Sequence, residues 1–240
     1  DRCSHLRGGV FGTPAGTALL GEMTRGVAAG DVAGAHAAQA RAIGLTAALA
    51  APFVVAFLTL PDLIMRAMFQ RGAFDAEAAQ RAGMVLAAYA TGLPAVVLIR
   101  SAVASFYSRE DTKTPLVASL SGVAVNVLAK LALTAQMGVA GLALGTAIGA
   151  WVNFALLVIL ARRRGWMTSA PVLRRGLAAV GMAAAGLAFV ALFLPQHLRP
   201  FLASLPAWRD ETLLGLVGAA GAVVYAALLV LGLSLFRVRL

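Results

Sequence analysis

Apolar residues in this chain fall into long blocks separated by short polar elbows. The blocks cover residues 42–60, 82–107, 115–134, 139–161, 176–194 and 213–236, with a glycine-rich one over 1–22. Each is near the ~20 residues that a helix needs to cross a bilayer. The pattern predicts an all-α, polytopic membrane bundle of about seven transmembrane helices. The sharpest elbow is Phe106-Tyr107-Ser108-Arg109-Glu110-Asp111-Thr112-Lys113-Thr114-Pro115. Proline suits a first helical turn, where its missing N–H costs nothing. Thr114 is the expected cap there, and Tyr107 is expected at headgroup level.

Between the blocks, local signals divide the chain further. Pro14 and the glycines Gly8, Gly9, Gly12 and Gly16 mark the first block. Residues 21–41 are polar and read as a loop followed by a surface helix. Pro52 lies inside the next span, and Pro61-Asp62 ends it. Phe69 and Phe74 bracket a turn at Gly72, after which Asp75 is placed to cap a short helix. Tyr89, Thr91, Gly92 and Pro94 interrupt the 82–107 span. The linker Gln136-Met137-Gly138 is so short that the spans around it must be antiparallel. Pro195, Pro200 and Pro206 punctuate the expected loop between the last two spans.

Composition agrees. Charged residues make up 12%, about half the soluble norm of ~25%, and mean hydropathy is +0.85. The net charge of +10 raises nucleic acid as a partner, but the positions of the charges argue for a membrane. Arg162, Arg163, Arg164, Arg174 and Arg175 share one inter-span region, and Arg237 and Arg239 close the chain. This is the positive-inside pattern, so membrane lipids are the expected partner and nucleic acid is not. With the arginine loop cytoplasmic, that side holds eleven Lys/Arg; the other holds seven, offset by six acids.

Little catalytic chemistry is available. A single cysteine, Cys3, excludes an internal disulfide and a thiolate metal cluster. The histidines are scattered, and no HExxH, GxSxG or Walker pattern occurs. No carboxylate pair lies inside a span, which leaves a carboxylate proton relay without support. The remaining candidates are ionisable or polar groups at membrane depth, which must face water or a partner. Arg100 and Lys130 either snorkel or face a cavity. Asn126 and Lys130 are spaced i, i+4 and share a helix face; with Thr146 on the next helix they form a polar set. Asn126 either joins helices by a hydrogen bond or lines that cavity.

These residues resemble the MurJ/MviN family of lipid II flippases, within the superfamily of multidrug, oligosaccharide-lipid and polysaccharide exporters. The similar stretches are Asp1-Arg2, Gly9-Val10-Phe11-Gly12, Gly16-Thr17-Ala18-Leu19-Leu20, and Phe69 through Phe74. Phe106 through Pro115 is the most specific, followed by Val125-Asn126-Val127 and Gly141 through Thr146. The resemblance implies the last seven of fourteen helices. Residues 1–161 would be a partial second lobe of five spans, lacking its first helix. Residues 162–194 would carry the cytoplasmic basic loop and sixth span, and 195–240 the terminal span, these last two helices forming a lipid-tail groove. The chain begins without Met and without a signal peptide, and is expected to be a fragment whose N-terminal half is a missing partner.

The implied function is flipping of lipid II, the undecaprenyl-pyrophosphate-linked peptidoglycan precursor, across the bacterial cytoplasmic membrane. The implied mechanism is alternating access, a transport process and not an enzyme reaction. Arg2 maps onto a cavity arginine of the family, with Asp1 beside it, and a guanidinium fork suits a pyrophosphate. Some members bind sodium through Asn, Asp and Thr; Asn126 and Thr146 match, but Lys130 stands where Asp would be. An ammonium there repels a cation, which argues against a sodium site and leaves membrane potential or another ion gradient as the drive. Arg7, Pro14 and Cys3-Ser4-His5 also depart from the family pattern. The competing readings are another exporter of polysaccharide-lipid or drug, and an inactive truncated product. No cofactor is expected.

Overall fold

The computed structural model describes residues 31–72, 74–166, 171–202 and 208–236. These form eight helices: α1 Val32–Thr59, α2 Pro61–Phe69, α3 Ala76–Ala90, α4 Leu93–Tyr107, α5 Lys113–Met137, α6 Val139–Arg163, α7 Pro171–Phe201 and α8 Arg209–Leu235. No strand occurs among the described residues. Six segments are long and apolar enough to cross a membrane, with α3 and α4 together making one of them. The expected span over 1–22 lies outside the described residues.

Several boundaries differ from the sequence expectation, each for a local reason. The surface helix expected before residue 42 is continuous with the span: α1 starts at Val32, where the Asp31 carboxylate accepts from Gly34 N–H at 2.8 Å. Asp75 caps α3 as expected, accepting from Ala78 N–H at 2.8 Å, but the helix it opens runs fifteen residues into the span. The break falls at Thr91-Gly92, where Gly92 lies against Ala147 of α6 so closely that a Cβ would be 2.7 Å from Ala147 Cα. Trp151 Nε1 donates to the Thr91 carbonyl at 2.9 Å, satisfying a backbone group inside that turn.

Pro195 and Pro200 lie inside α7, not in a loop; Pro206 is outside the described residues. A proline in a helix interior leaves a preceding carbonyl without its donor. Next to Pro195, the Gln196 side chain donates to the Leu192 carbonyl at 3.1 Å and His197 Nδ1 donates to Phe193 at 2.9 Å. The carbonyl that Pro195 leaves without its helical donor is that of Ala191, and the helix continues past it. Likewise, Arg162 and Arg163 form the last turn of α6, where cations favour the helix dipole, and Arg174 and Arg175 belong to α7. The arginine loop is therefore shorter than expected.

Helix α6 is central. Its buried positions from Gly141 to Gly149 are all Gly or Ala. Gly141, Gly145 and Gly149 recur every four residues and face α5, while Ala147 faces the α3–α4 break. Helices α7 and α8 pair with each other and pack on α1. There Pro52 cannot donate to the Ala48 carbonyl, and Tyr225 of α8 supplies the donor instead, at 2.6 Å.

Candidate functional site

Two sets of polar residues stand out in this bundle. The first is the seam between α5 and α6. In lipid, helices gain no hydrophobic free energy from meeting, so close backbone approach and interhelical hydrogen bonds must hold them. The glycine ladder provides the approach. A Cβ on Gly145 would lie 2.7 Å from Lys130 Cγ and 2.9 Å from Lys130 N. One on Gly149 would lie 2.6 Å from Asn126 Cβ and 2.7 Å from the Gly122 carbonyl oxygen. The predicted pair Asn126 and Lys130 is thus seated against α6, on the turns that carry Gly145 and Thr146.

The side chains themselves are not joined. Thr146 donates to the Leu142 carbonyl of its own helix at 3.1 Å. Among the described residues neither Asn126 nor Lys130 has a side-chain hydrogen bond or ion pair. Asn153, one turn past Gly149, packs its Cβ on Gly122, and its Oδ1 is buried without a described partner. An unpaired buried amide is costly, so this seam holds more polar capacity than its own packing uses. Asn153 was not singled out from sequence as a site residue. The signal was there: Gly141, Gly145, Gly149 and Asn153 form one i, i+4 row.

The second set is the elbow between α4 and α5. Asp111 Oδ1 accepts from Thr114 N–H at 3.0 Å, and Oδ2 from the Thr114 hydroxyl at 2.6 Å. The start of α5 is therefore capped by the Asp111 carboxylate, from the residue before the N-cap position Thr112, correcting the expectation that Thr114 fills that role: a carboxylate accepts better than a hydroxyl at a helix start. Asp111 also pairs with Arg164 from the end of α6. The Thr114 hydroxyl and N–H, and then Arg164, hold the Asp111 carboxyl down at about 2. Trp166 lies between two guanidinium groups, Arg164 at 4.8 Å and Arg109 at 5.2 Å from its ring centre. Its edge meets buried Phe106 at 5.5 Å. Arg109 also donates to the Ser105 carbonyl at 2.8 Å. Glu110 takes the left-handed conformation, φ +61°, which closes the elbow. Trp166, next to Gly165 after the arginine run, was the overlooked signal.

The other candidates are separate. Arg100 is exposed on α4, on the same outer stripe as Tyr107, with no hydrogen bond or ion pair to a described residue. Asp1 and Arg2 lie outside the described residues, so the structure neither joins them to this seam nor parts them from it. Among the described residues no cluster of three His, Cys, Asp or Glu is grouped to hold a metal ion.

Comparison with known proteins gives a consistent answer. The family model "Lipid II flippase MurJ" matches residues 1–206. A probable lipid II flippase MurJ of Rhizobium meliloti is 35% identical over all of this chain, which covers 45% of that relative. That of Rhizobium tropici is 34% identical over 96% of the chain, covering 42% of the relative. The chain thus spans less than half the length of these relatives. A solved "Lipid II flippase MurJ, inward closed conformation" superposes with a TM-score of 0.69 at 18% identity, over 92% of this chain and 42% of that one, and so shows the fold. With the elbow, the short α5–α6 turn and the Asn126 to Thr146 seam in place, the chain belongs to the MurJ lipid II flippase family.

Proposed function

We propose that this chain is the second-lobe portion of a lipid II flippase working by alternating access at the bacterial cytoplasmic membrane. Residues 1–161 would form the lobe's partial wall, 162–194 the basic loop and sixth span, and 195–240 the terminal span of a lipid-tail groove. The observation that carries the reading is the α5–α6 seam: polar side chains held at mid-helix in a membrane bundle of this family, with hydrogen-bonding capacity to spare. Arg2, with Asp1, would meet the pyrophosphate; Asn126, Lys130 and Thr146 would line the polar path, and Arg100, exposed on the outer stripe of α4, would lie outside it. Lys130 fits a sodium ion badly, since an ammonium beside Asn126 repels a cation, so no step is assigned to sodium.

Complementation tests this directly. The chain joined to a flippase N-terminal half should rescue a flippase-depleted strain, and the chain alone should not. In the joined protein, Arg2→Ala should abolish rescue at unchanged membrane abundance. Transport should be indifferent to external sodium. Normal rescue by Arg2→Ala removes that residue from the site, and a steep sodium dependence refutes the role given to Lys130.

A further inference from the structure

The end of the bundle away from the Trp166 clamp contains a cation with no hydrogen bond or ion pair to a described residue. Arg66 of α2 has its Nε buried without a described acceptor. Neither nearby acid is hydrogen-bonded or ion-paired to it among the described residues. Asp62, one turn earlier, turns its carboxylate onto Gly83 of α3, where a Cβ would lie 2.3 Å from Oδ1. Glu77 pairs with Arg81 at 2.9 Å. Arg66 opens on two cavities: one of about 360 Å³ is shared with Asp62, Glu77 and Gln80, and a second, of about 140 Å³, with Thr59, Asp62, Pro195 and Arg199. That volume exceeds several times the ~30 Å³ share of one water. Its walls carry two guanidinium groups and one carboxylate. A buried guanidinium N–H without an acceptor is expensive, and a tetrahedral oxyanion that accepts from both arginines relieves it.

The level in the bilayer points to the source of that anion. Trp208, Phe69 and Phe201 are all more than half exposed at this same end, as in an interfacial aromatic belt. Phospholipid phosphates lie at that depth. We propose that Arg66 and Arg199 form a binding site for the phosphate of a membrane phospholipid headgroup, which ties the α7–α8 pair to the α2 corner. This site is distinct from the seam and does not rest on the flippase reading.

Native mass spectrometry of the full chain in mild detergent tests it, with phosphatidylglycerol, a phosphate-free galactolipid and sodium phosphate as three separate probes. Phosphatidylglycerol should be retained and the galactolipid should not. Arg66→Gln and Arg199→Gln should each weaken retention about tenfold or more. Arg71→Gln, at the same end but paired with Glu211, should leave it unchanged. Arg199 is exposed, so Arg199→Gln remains informative even if Arg66→Gln folds poorly; Arg66→Lys should restore partial binding. Displacement of the lipid by millimolar sodium phosphate would assign the site to phosphate whatever its source; no displacement would assign it to the headgroup in its bilayer setting. Equal retention by both glutamine variants, or equal binding of the galactolipid, would overturn the proposal.

Discussion

The α5–α6 and α7–α8 pairs are both antiparallel, both apolar and both long enough to span a membrane, yet they are held in opposite ways. In α5–α6 the glycines meet backbone: Gly149 faces the Gly122 carbonyl oxygen and Asn126 Cβ. In α7–α8 the mid-helix glycines meet the flexible ends of side chains, Gly221 facing Leu187 Cδ1 and Gly186 facing Leu228 Cδ1, and among the described residues only Gly232 near the end of α8 lies against backbone, at Ala179. The first seam contains Asn126, Lys130 and Asn153, whose polar side chains find no partner among the described residues. The second buries one polar tip, the Tyr225 hydroxyl, and spends it on a backbone carbonyl. A polar group whose bonding is complete has a structural job. One that is not, at membrane depth, is available to a passenger. The contrast therefore separates the seam proposed to serve transport from the pair that braces it.

The largest expected effect probes this difference in packing. Gly149→Ala should destabilise the protein by about 1–3 kcal/mol, because the new methyl meets backbone that cannot move aside. Gly221→Ala should cost little or even stabilise, since Leu187 can rotate away and alanine is better than glycine in a helix by ~1 kcal/mol. Thermal unfolding of both variants in detergent makes the comparison. Equal costs would erase the distinction between the two seams.

Much of this contrast was legible beforehand. The six described spans, the antiparallel α5–α6 turn at Gly138 and the polar row of Asn126 and Lys130 follow from block length and spacing. The proline positions misled. Pro195 read as a loop because proline breaks isolated helices, whereas here α7 continues through it, packed on α8 and α1. The Asp111–Arg164 pair joins residues 53 apart in sequence, and no local pattern predicts such a contact. Arg66 gave no signal at all; its unpaired Nε emerges only in the folded chain, where Glu77 pairs with Arg81 and the Asp62 carboxylate lies against Gly83.

A smaller effect should separate the two pairs by pH. The Asp111 carboxyl titrates at about 2 in the folded protein, against an ordinary value of 3.8. A depressed carboxyl contributes stability that is complete above the unfolded value and fades as pH falls toward the folded one. The α5–α6 end should therefore loosen between about pH 4 and pH 2, while α7–α8, which has no carboxylate at its seam, should not respond in that window. Hydrogen exchange at Lys113 to Leu116 reports the first, and at Val223 to Leu228 the second. Asp111→Ala should cost about 1 kcal/mol at neutral pH, the sum of a lost cap and a partly exposed ion pair, and should abolish the difference.

The smallest effect tests whether Tyr225 is purely a brace. Interhelical hydrogen bonds in membranes average only about 0.6 kcal/mol, so Tyr225→Phe should cost roughly that much. The reason for the bond lies on the other helix: Pro52 leaves the Ala48 carbonyl without its own donor. Pro52→Ala restores an N–H at the position that would normally serve that carbonyl. In the Pro52→Ala background, Tyr225→Phe should then cost close to nothing, a coupling that a double-mutant cycle reads directly. Strict additivity of the two substitutions would mean that the hydroxyl does not stand in for the proline's missing donor. Loss of transport in Tyr225→Phe at unchanged stability would move the tyrosine from brace to transport path and collapse the division between the two pairs.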